Sequence, residues 1–167
     1  LSSLVGNPVG TLITSEENIM EQAVISGIAH NKDEAKLSLI GVPDEPGIAF
    51  KILKPISTAN IEVDMIVQSV SAREGWTNFA FTVHRNDFVG ASNIVGHLRK
   101  ELGAMAIQSD DKVVKVSLVG IGMRSHAGIA AKMFEVLHGE NINIQMISTS
   151  EIKISVVIDE KYLELAV

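Results

Sequence analysis

Gly47-Ile48-Ala49-Phe50-Lys51 recurs as Gly128-Ile129-Ala130-Ala131-Lys132, and Asn60-Ile61 through Met65-Ile66 recurs as Asn141-Ile142 through Met146-Ile147, both at an offset of 81 residues. Upstream, Lys36-Leu37-Ser38-Leu39-Ile40-Gly41 matches Lys115-Val116-Ser117-Leu118-Val119-Gly120 at an offset of 79, so the second loop carries two extra residues. A shared offset running through strand, loop and helix is the mark of an internal duplication.

Each copy opens on apolar alternation and β-branched residues ending in Gly, the pattern of a buried strand. A helix follows. In the first copy Asp44 is placed to cap it and Pro46 to occupy its first turn, with Ile48, Ile52 and Ile56 as the buried stripe and Pro55 near the end. In the second, Ser125 is the expected cap, Ile129, Met133 and Leu137 the stripe, and Gly139 the stop. The next strand is expected to place Ile61, Val63, Met65 and Val67 on one face, with Ile142, Ile144 and Met146 repeating the pattern. Third strands are expected at Thr77–His84 and Ile152–Ile158. A helix carrying Ile94, Val95, Leu98 and Leu102 and a strand Ala104–Gln108 complete β-α-β-β-α-β in the first copy, the ferredoxin-like order. The second copy reaches Val167 within its second helix, and Ala23–Ala29 is strand-like with no partner in the first copy. The expected fold is therefore α+β: two ferredoxin-like units, the first (33–110) inserted into the second (21–32 plus 111–167), with 1–20 as a linker remnant.

Composition narrows the function. The 167 residues are 46% hydrophobic and 20% charged with a formal charge of -6, which excludes disorder. A pI near 5.3 and 4% aromatic residues oppose an RNA-binding ferredoxin-like module, which needs basic residues and stacking rings. No apolar run is long enough to span a bilayer, and without Cys there are no disulfides or thiolate sites, in keeping with a cytoplasmic protein. His30, His84, His97 and His138 fall in no triad or metal-ligand spacing, and Gly120-Ile121-Gly122 lacks the third Gly and ribose-binding acid of a dinucleotide loop. No catalytic residues, metal or cofactor are expected.

Two such units, each with a Gly-containing loop after the first strand and Asn-Ile at the start of the second, resemble paired ACT domains. Val42-Pro43-Asp44-Glu45-Pro46-Gly47, Asn60 to Gln68, Lys115 to His126 and Ile147-Ser148-Thr149-Ser150-Glu151-Ile152 together look like the regulatory region of aspartate kinase. Gly10-Thr11-Leu12-Ile13 looks like the last piece of the kinase domain preceding it. One departure is Ala127, where Pro is common. The resemblance implies a module giving feedback inhibition by lysine, threonine or both, acting on the catalytic domain or alpha subunit of aspartate kinase. ATP and magnesium are then expected only in the kinase domain. The alternative is an ACT regulatory subunit of another biosynthetic enzyme such as acetohydroxyacid synthase, with which the Ser148-to-Ile152 block does not agree.

A free amino acid presents a carboxylate and an ammonium, so its sensor needs backbone N–H donors and a carboxylate or amide oxygen. The first-copy loop Asp44-Glu45-Pro46-Gly47-Ile48-Ala49 offers both: Gly47, Ile48 and Ala49 as donors at a helix start, and Asp44 for the ammonium. Asp44 reads equally well as a helix cap. Gln68 reads as an exposed strand residue or a ligand contact, and the resemblance favours contact. Asn143, Ile144 and Thr149 lie where an edge strand of the second copy can meet a ligand held by the first-copy loop. A lesser second site would comprise Met123, Arg124, Ser125, His126, Ala127, Gly128 and Ile129 with Asp64. The second strands, Asn60–Ser69 and Asn141–Ser150, carry no Lys or Pro to block edge pairing, which predicts a homodimer with its sites between units.

Overall fold

The computed structural model describes residues 25–71, 73–120 and 128–167. They form one antiparallel sheet of order β2-β3-β1-β4-β6-β5. Its strands are β1 (Gly27–Pro43), β2 (Val63–Val70), β3 (Trp76–His84), β4 (Ala106–Val119), β5 (Ile144–Thr149) and β6 (Lys153–Asp159); the helices are α1 (Ile48–Thr58), α2 (Phe88–Leu102), α3 (Ile129–Gly139) and α4 (Leu163–Ala166).

The two longest strands each serve both repeats. Glu34–Pro43 of β1 pairs with β3, and Lys36–Ile40 pairs with Ala106–Asp110, so β2-β3-β1-β4 is a ferredoxin-like sheet. Gly27–Asn31 of the same β1 pairs with Lys115–Val119, and Val113–Val119 pairs with β6, so β1-β4-β6-β5 is a second sheet of the same order. The register slips on both sides of Glu34, where the chain crosses from one repeat to the other. The strand expected at Ala104–Gln108 thus runs on without a break into the first strand of the second repeat.

Three apolar clusters follow. Ala35, Leu37, Leu39, Phe79 and Phe81 pack under Ile48, Ile52 and Ile56 of α1 and Ala91, Val95 and Leu98 of α2. Val114, Val116, Val156 and Ile158 pack under Met133 and Leu137 of α3 and Leu163 of α4. The third cluster lies on the opposite face: Met65, Val113, Met146 and Val157, with Val67 and Ala80 against them. The sheet therefore curls, bringing the helix-free faces of its two halves together and β2 towards β5. No helix among the described residues is long and apolar enough to cross a membrane.

Three local expectations are corrected. Neither Asp44 nor Pro46 starts α1: the cap position is Gly47 at φ 91°, with no side-chain cap bond. In α3 it is Gly128 at φ 102°, while Ser125 lies outside the described residues. In both helices the cap position is a left-handed residue, a conformation that only Gly holds without strain. The Asn-Ile pairs begin no strand. Asn60 and Asn141, both at φ 57°, end α1 and α3, with the amides of Ile61 and Ile142 returning to the carbonyls of Ile56 (3.2 Å) and Leu137 (2.8 Å). This is the left-handed C-terminal motif that Asn tolerates. The apolar face expected for the second strand is split as well. The register slips between Val63 and Ile66 and again between Ile144 and Met146, so Ile61, Val63, Ile142 and Ile144 pack under the helices while Met65, Val67 and Met146 turn to the other face. A bulge shifts the two-residue alternation by one, and the duplication carries it twice. Pro55 is accommodated: α1 continues to Thr58 around the buried Ile56.

Candidate functional site

The loop between β1 and α1 stands at the end of the sheet where β2 also finishes. The amide of Asp44 donates to Gly75 O at 2.9 Å, which ties the loop to the β2–β3 turn. The first bond of the α1 ladder is Lys51 N to Gly47 O at 3.0 Å, and the amide of Ile48 turns back to Glu45 O at 3.2 Å. The amides of Gly47, Ala49 and Phe50 therefore precede the ladder, at the positive end of the helix dipole. Asp44, Glu45, Pro46 and Gly47 are exposed, Ala49 is half-buried and Ile48 is buried. The Glu45 carboxylate is held by Lys51 at 2.6 Å, and the Asp44 carboxylate caps nothing.

Gln68 pairs with Phe79 on the helix-bearing face of the edge strand, and Val70 with Thr77, itself opposite Val42 near the loop. Gln68 and the Asp44–Ala49 loop thus share one face and one end of the first repeat. In the second repeat Thr149 stands equivalent to Gln68, exposed and paired with Ile154. Asn143 is exposed between the end of α3 and the start of β5, and Ile144 begins β5, half-buried. Gly128 and Ile129 open α3 as Gly47 and Ile48 open α1, and Met123, Arg124, Ser125, His126 and Ala127 fall outside the described residues. β2 and β5 are the two edges of the sheet.

Asp64 is placed differently from a loop ligand. Its carboxylate accepts from Lys115 Nζ, and the same ammonium reaches Glu34 Oε1 at 2.8 Å. Glu34 is 2% exposed. Partial burial pushes the Asp64 carboxyl up, but the hydrogen bond and charge of Lys115 outweigh it and hold it below the ordinary carboxylate value. Burial likewise pulls Lys115 down, and its bonds to Asp64 and Glu34 outweigh that, leaving it above the usual lysine value. A second contact across the concave face joins Lys36 Nζ to Gln145 Oε1 at 2.6 Å, and Gln145 Nε2 donates to Asp110 Oδ2 at 3.2 Å. Sequence reasoning named Asp64 only with the lesser second site and missed Glu34, Lys36, Lys115 and Gln145 as its kin, although the signal was present. Lys36 and Lys115 are one position of the repeat, as are Asp64 and Gln145.

The fold and its repeated glycine-started helices define a class, a tandem ACT-domain protein. Family models of the ACT domain match residues 37–103 and 116–167. Within that class the chain is 66% identical over 159 residues to an aspartate kinase of Pseudomonas fluorescens, covering 95% of this chain and 38% of that protein. It superposes on a crystal structure of aspartokinase alpha and beta subunits with TM-score 0.78 at 54% identity, covering 85% of this chain and 93% of that one. The ligand-free regulatory subunit of aspartate kinase from Thermus thermophilus gives TM-score 0.79 at 37% identity, with 86% and 94% covered. The chain belongs to the aspartate kinase family and corresponds to its regulatory ACT region. It spans about 38% of the length of the aspartate kinase relatives it matches.

Proposed function

We propose that the chain senses a free amino acid, threonine or lysine or both, and converts its occupancy into feedback inhibition of an aspartate kinase catalytic domain or alpha subunit in the cytoplasm. ATP and magnesium belong to that catalytic part. The observation that carries the reading is the Asp44–Ala49 loop, where amides ahead of the α1 ladder and a carboxylate that caps nothing stand together. Those are the two complements an amino acid requires.

The site is completed by a second edge strand. Pairing of β2 of one copy beside β5 of another extends the sheet and sets Asn143, Ile144 and Thr149 near Asp44 and Gln68, with ligand binding biasing how the copies sit. Calorimetry with threonine and with lysine, alone and together, tests the reading. Asp44→Ala should weaken binding by about 1.5–3 kcal/mol, the worth of a charge-assisted contact. Equal affinity in both proteins removes Asp44 from the site, and a strictly monomeric chain that binds tightly in sedimentation removes the between-copy arrangement.

A further inference from the structure

The helix-free face holds a cavity of about 470 Å3 between the two halves of the curled sheet, within the range that small ligands fill. Ile40, Val67, Ala80 and Met146 form an apolar wall, and Lys36 and Ser38 stand on the polar side. Of the candidate effector-binding residues only Ile144 borders it, with its side chain packed under the helices of the second repeat; Gln68 lies on the other face of the sheet.

The duplication supplies an internal control for the polar side. Lys115 gathers two carboxylates, Glu34 and Asp64. At the equivalent position Lys36 donates to an amide, Gln145. Asp110 sits opposite Lys36 in the ladder, attracts its charge and accepts from the same Gln145, yet forms no direct ion pair with it. An ammonium has three donors, and a half-buried one without a carboxylate in hydrogen-bond contact has its desolvation cost only partly offset. Burial accordingly pulls Lys36 below the ordinary lysine value despite the Asp110 charge.

We propose that this cavity binds a small carboxylate with a short branched apolar tail, its carboxylate on Lys36 Nζ as Glu34 and Asp64 sit on Lys115, its tail against Val67, Ala80 and Met146. The site is distinct from the amino-acid site at the Asp44 loop and stands or falls separately from it. The apolar wall selects the tail by burial, the ammonium selects charge by a charge-assisted bond, and the Ser38 hydroxyl adds a donor beside it.

Isovalerate is the probe, and its neutral amide, isovaleramide, the control. For a ligand of about seven non-hydrogen atoms a Kd on the order of 1 mM is expected. Calorimetry should show saturable binding of isovalerate, at least about tenfold weaker for isovaleramide and for Lys36→Met, and unchanged in Asp44→Ala. Methyl chemical-shift mapping of the wild-type chain keeps the test independent of how Lys36→Met folds: shifts should centre on Val67, Ala80 and Met146. Absence of saturation at tens of millimolar, equal binding of the amide, or shifts confined to Ile48 and Ile129 at the helix starts would each overturn the proposal.

Discussion

Replacing Lys115 by Met keeps most of the side chain's length and removes only the ammonium, which isolates the ion cluster on the concave face. Glu34 is 2% exposed, and the Lys115 and Asp64 side chains are 15% and 46% exposed. The Glu34 arm is therefore close to a buried pair, whose disruption costs about 3–5 kcal/mol, while the Asp64 arm is close to a surface pair worth about 0.2–1 kcal/mol. Asn31 Nδ2 still donates to Glu34 Oε1 at 3.0 Å and tempers the loss, so the expected cost is about 3 kcal/mol. For a chain of this size that lowers Tm by roughly 6–12 °C. Lys36→Met is the matched control, because its partner is the uncharged Gln145, and it should cost about 1 kcal/mol. Adding Glu34→Gln to Lys115→Met should recover a large part of the loss, since the stranded charge goes with it. Urea unfolding followed by circular dichroism measures all four proteins. Equal costs for the two lysine substitutions, or a double variant no better than Lys115→Met, would refute the assignment of the energy to a buried charge.

The glycines give a contrasting series by thermal unfolding. Gly41→Ala at a φ of 63° meets only the flexible side chain of the exposed Met105, and Gly47→Ala at φ 91° has open space; both should cost about 1 kcal/mol through backbone strain, while Gly96→Ala in α2 has neither obstacle and should stabilise by about 0.5–1 kcal/mol. Ile56→Ala, at a fully buried position of α1, should cost about 2–5 kcal/mol in urea titrations. In a pH series, the contribution of Asp64, whose folded value is held low, is present above about pH 4 and disappears as pH falls through that depressed value. Lys115, held high, contributes below the ordinary lysine value and loses its contribution as pH rises through its raised one. Asp64→Asn should flatten the acid side of the profile, and an unchanged acid limb would reject the Asp64 assignment.

What the sequence disclosed and what it hid divide along physical lines. The offset of 81 residues exposed the duplication, and the stripe Ile48, Ile52, Ile56 exposed α1, because period and repetition survive any local detail. The entry to each helix was misread, since capping rules look for an oxygen-bearing side chain and here Gly47 and Gly128 make the turn through their backbone. Alternation along β2 and β5 was misread for a related reason. A bulge adds one residue without altering composition, so Val63 and Met65 look equivalent in sequence and face opposite ways in space. The loop at Asp44 was legible because its chemistry is local. Lys36–Gln145 and Lys115–Asp64 were not, because each joins residues of different repeats and exists only once the sheet curls.

That curl places the two kinds of chemistry on one strand. β2 carries Asp64 on the concave side, latched to Lys115 of the other repeat, and Gln68 four residues later on the helix-bearing side, level with the candidate loop. The equivalent strand β5 carries Gln145, latched to Lys36, and Thr149. A strand is stiff along its length, so a ligand that draws Gln68 or Thr149 towards a helix start works against a latch that holds the same strand near its other end. The two latches are unequal: one ends in carboxylates and the other in an amide. If the latches transmit ligand binding, the β5 side yields first, and Gln145→Glu combined with Asp110→Asn should stiffen it, because the amide at position 110 can donate where Gln145 now donates to Asp110 and no second carboxylate is left beside the new one. The expected result is a higher Tm together with a weaker coupling between threonine addition and association, measured by sedimentation across a threonine series. A variant with raised Tm and unaltered coupling would separate the latches from the response to ligand and leave them as supports of the fold alone.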